Sequence, residues 1–252
     1  LMTLHQLKPH FPWITLLALV AVVGVAHPNF LLPANLISMV ADIMPLFIMA
    51  LGMTFAIYIG GIDLSSQSVA NMTTVLATIA LPGLGLGAAL VCILAGLTMG
   101  AVSGFVATRL LVPSFVSTLA VGGIAYSVAQ YPSGQRALYM DVTLRDASFG
   151  WMIGSSFGIP HEIVVGAALL ALTWFLQSRT VFGRALKAVG AGEPAAAASG
   201  LPVRRIKVLA FALSGMLAAI AGLLFSAKLS GGSPTLANGF LLPAIVAVLV
   251  GG

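Results

Sequence analysis

Apolar residues run along this chain in blocks of about 20, the length that crosses a hydrocarbon core as a helix, parted by short polar or glycine-proline segments. The pattern predicts helices over 12–32, 36–59, 65–81, 86–108, 115–131, 160–178 and 207–227, with an eighth beginning near 239. Stretches such as Ala88 to Met99 are apolar on every side, whereas the strands of a membrane β-barrel alternate apolar and polar residues. The expected fold class is all-α: a polytopic transmembrane helix bundle of about eight spans, one domain over 1–252. The last apolar run is unfinished at Val250-Gly251-Gly252 and the chain starts Leu1-Met2, so a truncated C-terminus and a non-standard start are expected.

Composition sharpens this. The chain is 60% hydrophobic and 7% charged, with a mean hydropathy of +1.10; a soluble domain carries about a quarter charged residues. The net charge of +5 does not point to nucleic acid, because the basic residues sit between apolar spans and form no patch on a polar domain. Their distribution sets orientation instead. With the N-terminus inside, Lys8, Arg109, Arg179, Arg184, Lys187, Arg204, Arg205 and Lys207 fall on the cytoplasmic side, and only Arg136, Arg145 and Lys228 fall outside. That is the expected positive-inside bias. The first apolar run is too long for a signal peptide and has Lys8 as its only N-terminal basic residue, so it reads as a retained span. The external segment of about 132–159 carries Arg136, Asp141, Arg145, Asp146 and Trp151, and reads as an ordered loop or a short surface helix.

Small residues recur at helical spacing. Gly96, Gly100 and Gly104 share one face of the fourth span, and Ser214, Ala218 and Gly222 one face of the seventh. Both are small-xxx-small seams of the kind that let helices approach closely in lipid.

Searches for catalytic chemistry find little. No phosphate loop of the G-x-x-x-x-G-K-[ST] type occurs, and no H-E-x-x-H or C-x-x-C, so neither ATP hydrolysis by this chain nor a metal site is expected. Nothing points to a bound cofactor. His5, His10, His27 and His161 lie near span ends, and Cys92, the one cysteine, sits in an apolar run. Asp42 falls inside the second span, expected near its outer end, since a carboxylate at the bilayer centre costs roughly 2.5–3.5 kcal/mol. A proton relay would need a second buried ionisable partner, and none is evident.

Two segments carry information. In Gly60-Gly61-Ile62-Asp63-Leu64-Ser65-Ser66-Gln67-Ser68 the glycines break the second span, and Asp63 is placed to cap the next helix. Ser65 and Gln67 follow, with Asn71 one turn beyond. The segment reads as a cap with a polar first turn, or as a break lining a polar path; the two are compatible. The second is Gly183 to Pro202. Pro194 suits a first helical turn, Ala195, Ala196, Ala197 and Ala198 favour helix, and Gly200 suits a stop. The result is a helix of about two turns between two spans, too short to be stable in water alone. It needs a surface, either a partner's groove or its own bundle.

At these segments the chain resembles the permease subunit of bacterial ATP-binding-cassette importers for simple sugars, of the ribose/xylose/galactose type, whose relatives include permeases for a furanose-like quorum signal. The blocks that carry the resemblance are Gly60-Gly61-Ile62-Asp63-Leu64-Ser65, then Leu111-Val112-Pro113-Ser114-Phe115-Val116-Ser117-Thr118-Leu119, and Gly183 to Gly222, together spanning about 45–252. The resemblance implies a bacterial inner-membrane protein that works beside a second permease subunit, a cytoplasmic ATPase subunit that uses the ATP, and a periplasmic solute-binding protein. It implies that 179–206 is a cytoplasmic coupling loop, in which Glu193, Pro194, Ala195, Ala196, Ala197, Ala198, Ser199 and Gly200 form the helix that enters the ATPase. The chain departs from the family pattern at Gly192, at Ala197 and at Ala120-Val121-Gly122-Gly123. Path-lining candidates for a neutral polyol are Asp63, Ser65, Gln67, Asn71, Ser117, Thr118 and Tyr126. A related branched-chain amino acid permease and an ion-coupled secondary carrier are the alternatives; the carrier predicts paired broken helices and buried acids.

Overall fold

The computed structural model describes residues 11–251; His5, Lys8 and His10 lie outside the described residues. Eleven α-helices occupy most of what is described: α1 (Phe11–Ala26), α2 (Pro33–Tyr58), α3 (Ser66–Leu84), α4 (Gly87–Arg109), α5 (Ser114–Ser133), α6 (Val142–Ile153), α7 (His161–Arg179), α8 (Val181–Ala191), α9 (Glu193–Ala198), α10 (Val203–Leu229) and α11 (Leu241–Gly251). A 3-10 turn, Pro28–Leu31, joins α1 to α2. Among the described residues the fold is all-α apart from four two-residue strands in two small antiparallel pairs.

By length and composition, α2, α4, α7 and α10 are long and apolar enough to cross a membrane. α3 and α5 have 19 and 20 residues but carry more serine, threonine and amide side chains. α11 and the apolar part of α1 are shorter. Four spans, against an expectation of about eight, is therefore what length and hydropathy alone support.

α10 is the hub, packed by α4, α2 and α3. Glycine sets how closely α4 approaches it: a Cβ added at Gly96, Gly100 or Gly104 would overlap Gly215 and Ala219, Phe211, or Val208 respectively. The neighbouring face of α10 presents Ser214, Ala218 and Gly222. Gly222 rests on Ala70 and Thr73 of α3, Ala218 packs with Val69, Met72 and Val75, and the Ser214 backbone lies against Gly52 of α2. α10 is thus held on two sides by small-residue seams, one to α4 and one to α2 and α3. By contrast α1 and α7 turn most of their apolar side chains outward, which suits lipid as the surrounding solvent.

The segment between α5 and α7 is ordered. β1 (Leu138–Tyr139) pairs with β4 (Gly231–Gly232), just after α10, in the register Leu138 to Gly232. α6 follows, its first turn capped by Asp141, whose Oδ1 accepts the Leu144 N–H at 3.0 Å. A hairpin of β2 (Ser155–Ser156) and β3 (Ile159–Pro160) leads into α7. His161 closes that hairpin, with one ring nitrogen 2.8 Å from the Trp151 carbonyl and the other 2.8 Å from Ser156 Oγ.

Candidate functional site

α2 stops at Tyr58 for a local reason. Gly60 takes a left-handed φ of 70°, the Gly61 N–H bonds to the Ala56 carbonyl, and the Gly60 N–H bonds to that of Ile57. This is the paired hydrogen bonding of a Schellman stop, and it favours glycine at the left-handed position. The chain then runs non-helically to Ser65 before α3 begins.

Backbone groups in such a segment must find partners, and α5 supplies them. The Ile62 N–H donates to Ser114 Oγ at 3.1 Å and the Leu64 N–H to Thr118 Oγ1 at 3.1 Å. Asp63, between them, is fully buried. Its Oδ1 accepts from the Ser65 N–H (2.9 Å) and the Ser65 hydroxyl (2.5 Å), and its Oδ2 accepts from the Ser214 hydroxyl (2.6 Å). Asp63 therefore closes a tight turn before α3 and ties it to the middle of α10.

A second polar network lies further along α3. Asn71 donates from Nδ2 to Asn238 Oδ1 at 2.9 Å and accepts the Ala237 N–H at 2.6 Å. Thr74 Oγ1 accepts the Ser233 N–H at 3.1 Å and lies 3.0 Å from the Ser233 carbonyl. The loop between α10 and α11 is thereby folded onto α3.

The candidates named from sequence thus separate. Asp63, Ser65 and Thr118 meet at the break; Asn71 belongs to the second network. Ser117 is buried and bonds within its own helix, to the Ser114 carbonyl at 2.9 Å. Gln67 is half-buried, and Tyr126 is exposed on α5, apart from both networks. Sequence reasoning passed over Ser114, which looked like part of a motif, and took Ser214 for a packing residue only. Asn238 and Ser233 gave no local signal.

An open groove of about 840 Å³ runs along α3 and α5, lined by Leu76, Ala120, Gly123, Ile124, Ser127 and Tyr131. It is mostly apolar, with Ser127 and the Tyr131 hydroxyl as polar groups.

At the end of the bundle where α2 stops, α8 and α9 form a compact loop. α8 buries Leu186 and Val189, and a Cβ at Gly190 would overlap the Tyr58 carbonyl, so α8 is seated directly on the end of α2. α9 has Pro194 in its first turn. It ends in a second Schellman stop: Gly200 at φ 81° bonds to Ala197, and Leu201 to Ala196. Of its alanines only Ala196 is buried; Ala195, Ala197 and Ala198 face outward. Glu193 pairs with Lys207 at 2.8 Å, and both line a pocket of about 400 Å³ with Thr108, Pro113 and Arg204.

At the opposite end Asp42 does have an ionisable partner. Lys228 Nζ lies 2.6 Å from Asp42 Oδ1 and 3.8 Å from Glu162 Oε1. Asp42 is largely exposed, while Glu162 is 5% exposed with Oε2 unpartnered. The expectation that Asp42 has no ionisable partner is corrected: Lys228, near the end of α10, pairs with it and also faces Glu162 at the start of α7.

An α-helical bundle with broken, polar-lined helices inside and a shaped basic loop at one end has the architecture of a membrane permease. The chain belongs to the family described as branched-chain amino acid transport system / permease component, whose model matches residues 35–252. It is 33% identical over 244 residues to the ribose import permease protein RbsC of Escherichia coli (strain K12), covering 95% of this chain and 75% of that one. It is 32% identical over 250 residues to RbsC of Bacillus subtilis (strain 168), covering 96% and 75%. To the L-arabinose ABC transporter permease protein AraH of Azospirillum brasilense it is 31% identical over 242 residues, covering 94% and 69%. No solved structure matches the chain.

Proposed function

We propose that the chain is the transmembrane permease subunit of an ATP-binding-cassette importer and translocates a small neutral sugar across the bacterial inner membrane. The observation that carries this reading is the near full-length similarity to permeases named for ribose and L-arabinose. The polar groups within the bundle agree with it. At the break and along α3 these are hydroxyls, amides and one carboxylate bonded to protein partners, with no ion pair among them.

In this reading eight helices lie across the membrane, α1 to α5, α7, α10 and α11, of which α11 with its 11 residues covers only part of the thickness. α3 can be more polar because it is largely buried in the bundle, and α5 turns Ser114 and Thr118 onto the break while keeping apolar side chains outward. The N-terminus and the 179–206 loop are cytoplasmic, in accord with the positive-inside bias. The exposed face of α9, with Pro194, Ala195, Ala197 and Ala198, docks to a separate ATPase subunit that uses the ATP; this chain binds no cofactor. A second permease subunit completes the path, and a periplasmic binding protein delivers the sugar. Alternating access follows ATP-driven closure of the ATPase pair.

The second reading is a branched-chain amino acid permease, favoured by the name of the family model. Both are tested by purifying the full-length protein from native membranes, identifying what accompanies it, and measuring uptake in proteoliposomes. A co-purifying ATPase and ATP-dependent uptake of ribose or arabinose, but not leucine, support the sugar reading; leucine uptake supports the other. Ala197→Asp should release the ATPase. Ala197 is the better probe because Ala196 is buried against the bundle. An ATPase that stays bound to that variant would remove α9 from the contact, and a folded protein with no ATPase at all would leave an ion-coupled carrier.

A further inference from the structure

We infer that the Gly60–Ser65 break transmits movement of the 179–206 loop into the bundle, with Asp63 and Ser214 as the positioning pair. The inference rests on the importer reading and names the internal element through which the ATPase would act.

Four contacts form a continuous route. Gly190 of α8 sits against the Tyr58 carbonyl at the end of α2. Two residues on, the left-handed Gly60 turns the chain, and Gly61 packs under the ring of Phe211 of α10. Asp63 then reaches Ser214, three residues further along α10, through Oδ2. On its other side the break hangs from Ser114 and Thr118 of α5. One short non-helical segment therefore joins the loop to two helices of the bundle.

The bonding within this segment explains why it can move as a unit. Between the stop at Gly61 and the start of α3, the Ile62, Leu64 and Ser65 N–H groups are all held by side chains: Ser114, Thr118 and Asp63. Side-chain hydroxyls swing by a rotamer change, whereas a helical ladder cannot be released one bond at a time. Asp63 is the one charged group in the break, fully buried, and takes part in no ion pair among the described residues. A carboxylate so placed is costly in a membrane, and a packed leucine would hold a static turn more cheaply. What the carboxylate adds is three directional charge-assisted bonds, two from Ser65 in its own segment and one from Ser214 of α10, so that displacement of either is felt by the other.

The test uses the complex with its ATPase and binding protein in proteoliposomes, measuring ATP hydrolysis and sugar uptake in the same vesicles. Ser214→Ala removes the donor to Oδ2, Ser214→Thr keeps it, and Asp63→Asn keeps the shape while removing the charge. In Ser214→Ala and Asp63→Asn, sugar moved per ATP should fall about fivefold, the population shift expected from losing one buried hydrogen bond. Hydrolysis should continue at an unchanged rate, and Ser214→Thr should restore the ratio. Unchanged ratios in both variants would overturn the inference, as would uptake and hydrolysis falling in proportion, since that marks a merely structural role. If Ser214→Ala does not assemble, Asp63→Asn alone decides. A wild-type complex that neither hydrolyses ATP nor moves sugar would instead overturn the importer reading, and this inference with it.

Discussion

Asn71 and Asn238 meet side chain to side chain, Nδ2 to Oδ1 at 2.9 Å, across 167 residues of sequence. The same Asn71 accepts the Ala237 N–H, so one amide secures the loop between α10 and α11 twice. Asn71→Ala should leave that buried N–H without a partner and let the loop open locally. The Ala237 amide should then exchange its hydrogen about tenfold faster, while amides in the middle of α10 stay protected. Mass-spectrometric hydrogen exchange in detergent checks this; unchanged exchange at 231–239 would show that β1–β4 pairing and the Thr74–Ser233 bonds hold the loop without Asn71.

Gly100 and Gly123 make a controlled pair. A Cβ at Gly100 would overlap the Phe211 carbonyl, whereas one at Gly123 meets open space. Gly100→Ala should force α4 and α10 apart and destabilise the bundle by about 1–3 kcal/mol, and Gly123→Ala, inside α5 with room for the methyl, should stabilise it by about 0.5–1 kcal/mol. Thermal unfolding in detergent micelles distinguishes them.

Lys228 serves two carboxylates of unequal burial. Lys228→Met leaves Glu162 buried without a cation, which should cost about 3–5 kcal/mol. Asp42→Ala, at an exposed partner, should cost no more than ~1 kcal/mol. Adding Glu162→Gln to Lys228→Met should recover most of the loss. Stability measured across the three variants tests the ordering, and equal losses would contradict it.

Asp141 caps α6, and the Leu144 N–H bond holds its carboxyl below the ordinary value of 3.8. A group lowered in the folded state stabilises above its unfolded value and loses that contribution as pH falls through the folded one. Protection of α6 amides in the wild type should exceed that in Asp141→Ala at neutral pH. The difference should close below pH 3.8.

Much of the helix layout was legible because it is periodic or local. The apolar blocks fall within a few residues of α2, α3, α4, α5, α7 and α10, since lipid and helix geometry act on neighbours in sequence. The stops at Gly60 and Gly200 were legible for the same reason: a left-handed residue favours glycine. α8 went unread although Phe182, Ala185, Leu186 and Val189 stand at helical spacing, because it follows α7 with only Thr180 between them. What sequence did not disclose is pairing at a distance. Nothing in Asp42 announces Lys228, nothing in Asn71 announces Asn238, and Ser214 carries both a small size and a hydroxyl. Its size fits the seam; only the fold shows that its hydroxyl is bonded to Asp63.

α9 is fixed at both ends, by Pro194 where it begins and by the left-handed Gly200 where it stops, and it is braced from the side by the Glu193–Lys207 pair. The outward face of Ala195, Ala197 and Ala198 therefore exists in its final shape before anything touches it. A small, side-chain-poor knob has almost no rotamers to freeze, so docking would lose little conformational entropy. In the proposed docking to an ATPase, tightness and speed of engagement would then be set by the partner's groove alone, and a surface that has to engage and release repeatedly would gain from starting out rigid.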